Sequence, residues 1–225
     1  MKVSQNWLKS LVEINSTPDD LSEKLSIGGF EVESLIDCSS NVRGIVLGKV
    51  LSVVKHENSE KLYICRVDIG TSNSLQIVCG AKNVKANIHV YVAPVGVHLS
   101  NINLTIKRSE IRGVMSEGMI CSLEELGVED TSEGIAIVNE DIASKHKLGT
   151  SASLLLDLND YIYDLAITAN RPDGMSVVGI AREISALLET NLTFPELKTK
   201  YKIKVNKKFD LCSIAITKNC LYSIS

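Results

Sequence analysis

Lysine and arginine side chains between residues 43 and 113 are the main candidates for binding chemistry in this sequence. The segment carries ten Lys and Arg against four Asp and Glu, whereas the whole 225-residue chain has a formal net charge of −3. A local excess of positive charge within an acidic chain is typical of a surface that binds an anionic partner. The alternative is a solvated, lysine-rich sheet face without a partner, and composition does not separate the two.

Residue types for covalent or metal chemistry are scattered along the chain. The four histidines are not clustered, and the six cysteines form no CxxC pair. The phosphate-loop, dinucleotide-binding, zinc-hydrolase and serine-hydrolase signatures are absent. Acidic pairs such as Glu124 and Glu125 lie in a hydrophilic stretch and are interpreted as a solvated face. The sequence therefore predicts no catalytic residue, no metal site and reduced, mostly buried cysteines.

The composition is that of a soluble globular protein, with 44% hydrophobic and 23% charged residues. No apolar run approaches the ~20 residues of a membrane helix, and the first residues lack the apolar segment of a secretory signal. We therefore expect a cytoplasmic protein with no membrane partner.

Short β-type runs must position the basic side chains. They are separated by Gly, Asn and Ser turns and cover residues 45–54, 61–69, 75–79, 88–95 and 102–111. Five strands in about 70 residues fit a small closed barrel of the oligonucleotide/oligosaccharide-binding (OB) type. A β-sandwich is the alternative, because strand number alone does not distinguish these architectures.

Amphipathic helices flank this β region. One is predicted around Trp7 to Val12, a second from Thr17 to Gly28, and the strongest at 177–188. A capping box at Ser122 and Glu125 predicts a further short helix at 122–127. The flanking helices need partners for their apolar faces. We therefore predict the α+β fold class: a small N-terminal α+β domain with an inserted OB-fold barrel.

The predicted domain organisation has four segments. The N-terminal α+β domain comprises residues 1–40 and 151–200, and the OB-type domain comprises 41–150. Strand-like runs at 202–205 and 213–216 predict that 201–225 begin a following domain that is truncated here. A chain that ends where β structure starts is expected to be a piece of something longer.

Turn and basic motifs follow one another through the β region in a set order. They are His56-Glu57-Asn58-Ser59-Glu60-Lys61-Leu62, Val67-Asp68-Ile69-Gly70, Gln76-Ile77-Val78-Cys79-Gly80-Ala81 and the run from Ile111 to Met119. This order resembles the EMAP-type tRNA-binding domain, an OB barrel appended to several tRNA synthetases. The family pattern at the first motif is His-Pro-Asn-Ala-Asp-Lys-Leu, so Glu57, Ser59 and Glu60 depart from it.

The flanking segments carry a second resemblance. Residues 168–173, followed by Ser176, Gly179 and 181–183, are similar to the Thr-Pro-Asn-Arg-Pro-Asp-x-x-Ser-x-x-Gly-x-Ala-Arg-Glu run of the bacterial phenylalanyl-tRNA synthetase beta subunit. Ala169 and Gly174 depart from the usual residues. The opening Ser4-x-x-Trp7-Leu8 and the run 28–33 are similar to that family's N-terminus, so the resemblance covers essentially the whole chain.

The resemblance implies the N-terminal, non-catalytic part of an enzyme that ligates phenylalanine to tRNA(Phe). The whole enzyme would use ATP and Mg²⁺, with no cofactor in this chain. Its partners would be tRNA and the alpha subunit, in a heterotetramer of two alpha and two beta chains. The part itself would provide tRNA contact, subunit architecture or both. The alternative is a free-standing tRNA-binding module or chaperone.

Eight basic side chains of the β region are the candidate RNA contacts. They are Lys49, Lys55, Lys61, Arg66, Lys82, Lys107, Arg108 and Arg112. The region offers only Tyr63 and Tyr91 for base stacking. Weak, phosphate-directed binding is therefore expected in place of sequence readout.

Overall fold

The computed structural model describes residues 1–194, which contain thirteen strands and five α-helices. The strands are β1 (Lys2–Ser4), β2 (Glu31–Asp37), β3 (Val46–Lys55), β4 (Tyr63–Asp68), β5 (Leu75–Cys79), β6 (His89–Pro94), β7 (His98–Leu99), β8 (Leu104–Thr105), β9 (Ser109–Ile111), β10 (Val114–Ser116), β11 (Gly118–Ile120), β12 (Ile137–Val138) and β13 (Tyr161–Ala166). The helices are α1 (Gln5–Lys9), α2 (Pro18–Ile27), α3 (Glu140–Ala143), α4 (Ala152–Leu155) and α5 (Val177–Leu188). The strands predicted at 202–205 and 213–216, and the domain predicted at 201–225, lie outside the described residues.

A three-stranded antiparallel sheet unites distant parts of the chain. Its strand order is β1-β13-β2. Tyr163 of the central strand β13 is paired with Val3 of β1 on one side and with Leu35 of β2 on the other. The helices α2 and α5 supply Leu21 and Ile184 to the same buried core. The apolar faces of the flanking helices, for which the sequence predicts a need for partners, thus pack together in one α+β core.

The two long helices begin where the sequence predicts. The Thr17 Oγ1 atom accepts a hydrogen bond from the Asp20 backbone N–H at 3.2 Å, and Pro18 occupies the first helical position. The Ser176 Oγ atom likewise accepts from the Gly179 N–H at 3.0 Å. Side chains of this type satisfy backbone donors that the first turn leaves unpaired. These caps fix the register of α2 and α5.

The first helix differs from its prediction in length and in its buried face. Ser4 caps it, accepting from the Trp7 N–H at 3.1 Å, but α1 ends at Lys9. Trp7 is 59% exposed, whereas Leu8 is fully buried. Leu11 lies after the end of the helix and therefore reaches the core from a turn. Trp7 does not belong to the buried apolar face of α1.

Residues between β2 and β13 form a barrel. The strand order β11-β6-β3-β4-β5 is antiparallel throughout. The barrel closes where the Glu117 N–H donates to the Gln76 carbonyl at 2.8 Å and the Val78 N–H donates to Ser116 Oγ at 3.1 Å. The predicted α+β class with an OB-type barrel is therefore confirmed. The division at residues 40, 150 and 200 stays a prediction.

The second barrel strand alternates as its sequence indicates. Cys65 and Val67 are fully buried, while Arg66 between them is exposed. A period of two places successive side chains on opposite faces of a sheet. The candidate RNA contact Arg66 therefore lies on the outer face of the barrel.

The prediction of a single last strand at 102–111 is wrong. The chain there forms two small hairpins, β7–β8 and β9–β10, and the fifth barrel wall is made by residues 114–120. Asn103 has φ 50°, and Arg112 and Gly113 have φ 52° and 88°. Left-handed residues turn the chain, so a continuous strand cannot pass through these positions.

The helix predicted at 122–127 is only a turn. Its capping box is present, because the Ser122 N–H donates to Glu125 Oε2 at 2.7 Å and the Glu125 N–H donates to Ser122 Oγ at 3.2 Å. Gly127, at φ 68°, reverses the chain after that single turn. No helix within residues 1–194 is long and apolar enough to cross a membrane.

Candidate nucleic-acid interface

The loop between β3 and β4 is held in place by His56. This side chain is 2% exposed; its Nδ1 accepts from the Asn58 N–H at 3.0 Å, and its Nε2 lies 3.2 Å from the Ile111 carbonyl. Because Nδ1 faces an N–H donor and Nε2 faces a carbonyl acceptor, this arrangement fits the imidazole tautomer that carries its proton on Nε2. His56 therefore joins the β3–β4 loop to the β9–β10 hairpin.

Arg112 strengthens the same junction from the hairpin side. It is followed by Gly113, and both residues have positive φ, as in the two-residue turns that suit β-hairpins. The Arg112 guanidinium donates to the Asn58 carbonyl at 3.0 Å, and the Asn58 amide donates back to the Arg112 carbonyl at 3.5 Å. Part of the hydrogen-bonding capacity of this candidate RNA contact thus serves the fold.

A polar cleft of about 620 Å³ opens at this junction. Lys55 and Arg112 line it, together with Glu57 and Glu60. The two carboxylates partly offset the positive charge, so the cleft is no simple anion site. Lys61 follows directly along the chain and is exposed.

The other candidate side chains lie on different parts of the barrel. Arg66 lies on β4 opposite Gln76 of β5. Lys107 and Arg108 precede β9, and Arg108 forms an ion pair of 2.9 Å with Glu117. Lys82 is exposed after β5, and Lys49 is half-buried on β3.

OB barrels bind oligonucleotides on the face of their second and third strands and with two adjacent loops. Here those elements are β4, β5, the β3–β4 loop and the connection from β6 to β11. These elements and the adjoining end of β3 carry six of the eight candidate RNA contacts: Lys55, Lys61, Arg66, Lys107, Arg108 and Arg112. Lys49 and Lys82 lie on other elements.

Aromatic rings contribute little to this surface. Tyr91 is 5% exposed, and burial raises the pKa of its hydroxyl. Tyr63 is half-buried and packs against the barrel core. Neither tyrosine presents a fully exposed ring face on which a base could stack.

A second groove of about 720 Å³ lies between β5, the connection from β6 to β11 and the Ser122–Glu125 turn. Its lining includes apolar, hydroxyl and charged residues: Val78, Gly80, Leu104, Ile106, Lys107, Ser109, Ile111, Met119, Ser122, Glu124 and Glu125. The sequence indicated Glu125 only as a cap, on a solvated face. The structure corrects this assignment, since the side chain is half-buried and lines the groove.

The motif around Arg171 serves the α+β core. Its guanidinium donates to the Gly28 carbonyl at 3.0 Å and to Glu183 at 2.7 Å, pairs with Asp173 at 3.1 Å and lies 4.2 Å from the centre of the Phe30 ring. The hydrogen bonds that Arg171 donates to Asp173 and Glu183 raise the pKa of Arg171, and Arg171 holds the pKa of Asp173 below its usual range. Arg171 thus ties the turn after α2 to α5.

Side chains suited to metal binding are not gathered in this part of the chain. Among residues 1–194, no group of three or more His, Cys, Asp or Glu side chains has a geometry that could hold a metal ion. The buried thiols are also chemically quiet, because burial raises the pKa of Cys65 and of Cys121 to about 12.

The fold is an OB-type barrel whose outer elements carry several basic side chains, an architecture found among oligonucleotide-binding modules. Residues 45–147 match the family described as "Putative tRNA binding domain". The C-terminal domain of Plasmodium vivax p43 has a TM-score of 0.36 and 21% identity, covering 51% of this chain and 61% of that chain. That structural likeness is too small to carry an inference.

Similarity to individual proteins extends over the whole chain. This chain is 83% identical over 225 residues to the phenylalanine–tRNA ligase beta subunit of Prochlorococcus marinus subsp. pastoris, and the match covers 100% of this chain and 27% of that protein. Identity to the beta subunit of Prochlorococcus marinus strain MIT 9312 is 74%, covering 100% of this chain and 28% of that protein. The chain corresponds to the N-terminal part of a phenylalanine–tRNA ligase beta subunit, as the motifs indicate. It spans about 27% of the length of these relatives.

Proposed function

We propose that the outer face of the barrel binds tRNA through its phosphates, as part of a phenylalanine–tRNA ligase. The observation that carries this proposal is the concentration of six basic side chains on the elements with which OB barrels bind oligonucleotides. The match to a tRNA-binding family over residues 45–147 supports it.

The whole enzyme would contain this chain's continuation and an alpha subunit, as two alpha and two beta chains in the cytoplasm. ATP and Mg²⁺ would bind in those other parts, and this N-terminal part would contribute tRNA contact and subunit architecture. The free-standing module is the less favoured alternative, because the similarity to beta subunits continues on both sides of the barrel.

Three exposed side chains offer the clearest test of phosphate binding. Lys55, Lys61 and Arg66 form no ion pair among residues 1–194. Replacing all three by Glu reverses their charge on the proposed face. We expect this variant to lose tRNA binding at low salt, because each lost contact removes a favourable release of counterions. Titration with tRNA, followed by fluorescence anisotropy, measures the loss.

A matched variant controls for the change in net charge. Lys9, Lys145 and Arg182 are exposed and lie outside residues 43–113. Their triple replacement by Glu changes the total charge equally and should leave the affinity within about twofold. If the two triple variants bind tRNA equally well, the barrel is a structural element of the enzyme and not a tRNA contact.

A further inference from the structure

The groove beside the Ser122–Glu125 turn has the size and lining of a ligand site. Its volume of about 720 Å³ falls within the roughly 300–1,000 Å³ of small-molecule pockets. Val78, Ile111 and Met119 supply apolar walls. No aromatic residue belongs to the lining found within residues 1–194, so aliphatic and thioether groups would contact the two faces of a flat ring. An unpaired RNA base has such faces and a polar edge.

Glu125 places an acceptor among these walls. Its Oε2 is engaged by the Ser122 N–H at 2.7 Å, and the side chain is half-buried. The pKa of the neighbouring Cys121 thiol is raised by burial and further by the negative charge of Glu125. An ionised carboxylate accepts hydrogen bonds and donates none. A polar edge that meets Glu125 must therefore carry an N–H donor.

Basic side chains stand beside the groove. Lys107 belongs to its lining, and Lys82 directly follows Ala81, which also lines it. A nucleotide seated in the groove would thus have cations near its phosphates. Among the described residues that line the groove, the charged side chains besides Lys107 are the carboxylates Glu124 and Glu125. This arrangement separates base recognition from phosphate binding.

We propose that the groove receives one unpaired RNA base that carries an exocyclic amino group, and that Glu125 accepts a hydrogen bond from that amino group. Cytosine, adenine and guanine have such a group, whereas uracil presents a carbonyl in the corresponding position. Among pyrimidines of equal size, the groove selects cytosine over uracil. This inference rests on the proposed function of the barrel as an RNA-binding domain.

Two RNA hexamers of equal charge, oligo(C) and oligo(U), test the selection on the 225-residue chain. Anisotropy titrations at low salt should show oligo(C) binding roughly tenfold to a hundredfold more tightly, as expected for one hydrogen bond to a charged acceptor. In Glu125→Gln, the amide oxygen retains the bond from the Ser122 N–H and the NH₂ group faces the groove. That variant should lose the preference for oligo(C) or prefer oligo(U).

Glu129→Gln is the matched control, because Glu129 is exposed and does not line the groove. It should keep the preference of the parent chain. Equal binding of the two hexamers by the parent, or an unchanged preference in a Glu125→Gln variant that melts like the parent, overturns the inference. In both cases salt-sensitive tRNA binding would leave the proposed function intact. Failure of tRNA and both hexamers to bind overturns the proposed function and the inference together.

Discussion

Gly179 is the position at which a single added methyl group should be most informative about the α+β core. It occupies the third residue of α5, and its N–H is bound to the Ser176 cap at 3.0 Å. A Cβ atom built there would lie 1.7 Å from the Asp173 carbonyl oxygen and 2.7 Å from the carbonyl carbon. Backbone atoms cannot be moved by changing a rotamer. Gly179→Ala must therefore separate α5 from the 3₁₀ turn at Pro172–Met175.

Two effects of opposite sign compete in this substitution. Helix propensity alone favours Ala over Gly by about 1 kcal/mol. Overpacking typically costs about 1–3 kcal/mol, and a contact this short belongs at or above the upper end of that range. The net loss of stability should therefore be about 2 kcal/mol, which corresponds to roughly 4–8 °C in the melting temperature of a chain of this size.

Thermal denaturation followed by circular dichroism measures this loss. Gly80→Ala is the matched control, since a Cβ at Gly80 would meet only Leu62 Cδ2, at an ordinary 3.5 Å. The control should melt within about 1 °C of the parent. A Gly179→Ala variant as stable as the parent, or more stable, would show that helix propensity dominates and that the close approach to Asp173 is wrong.

Two further variants test other parts of the account. Arg171→Lys should lower the melting temperature, because an ammonium group cannot reach the Gly28 carbonyl, Glu183 and Asp173 together. The control variant Arg182→Lys, on the exposed side of α5, should melt like the parent. Equal melting temperatures of the two variants would refute the bridging role of Arg171. Raising the pH from 8 to 10.5 should lower the free energy of unfolding, because the folded-state pKa of Cys65 and Cys121 is about 12 while thiols in an unfolded chain ionise near pH 8.5. Stability from these thiols is fully present below the unfolded pKa and is lost as pH rises towards 12. Urea denaturation of a Cys65→Ala/Cys121→Ala variant should show a weaker pH dependence, and an unchanged dependence would contradict the assignment.

Local signals in the sequence predicted the elements that have strong local causes. The cap residue Thr17 predicted the start of α2, and the apolar stripe at 177–188 predicted α5. The alternation through Cys65, Arg66 and Val67 predicted an outward-facing arginine. These features depend on caps and periodicity, which act over a few residues. The OB-type barrel followed from the number and spacing of such runs.

Long-range contacts account for what the sequence did not predict. The short strand β1 exists because β13, about 160 residues later, pairs with it. His56 lies at hydrogen-bonding distance from the carbonyl of Ile111, and Arg171 donates a hydrogen bond to the carbonyl of Gly28. Both partners are distant in sequence. The groove containing Glu125 is likewise assembled from three separate segments. No local sequence pattern identifies such long-range contacts, so the sequence predicted the candidate RNA contacts from the local excess of positive charge and not from their arrangement on the barrel.

The salt dependence of tRNA binding tests the central claim most directly. Each phosphate neutralised on a single strand adds about 0.7 to the slope of log Kobs against log salt concentration. Three or four contacts from the exposed basic side chains predict a slope of roughly −2 to −3 for the 225-residue chain. Weak binding with that slope would support phosphate recognition by the barrel face. Binding that does not weaken with salt, or no binding at low salt, would contradict it.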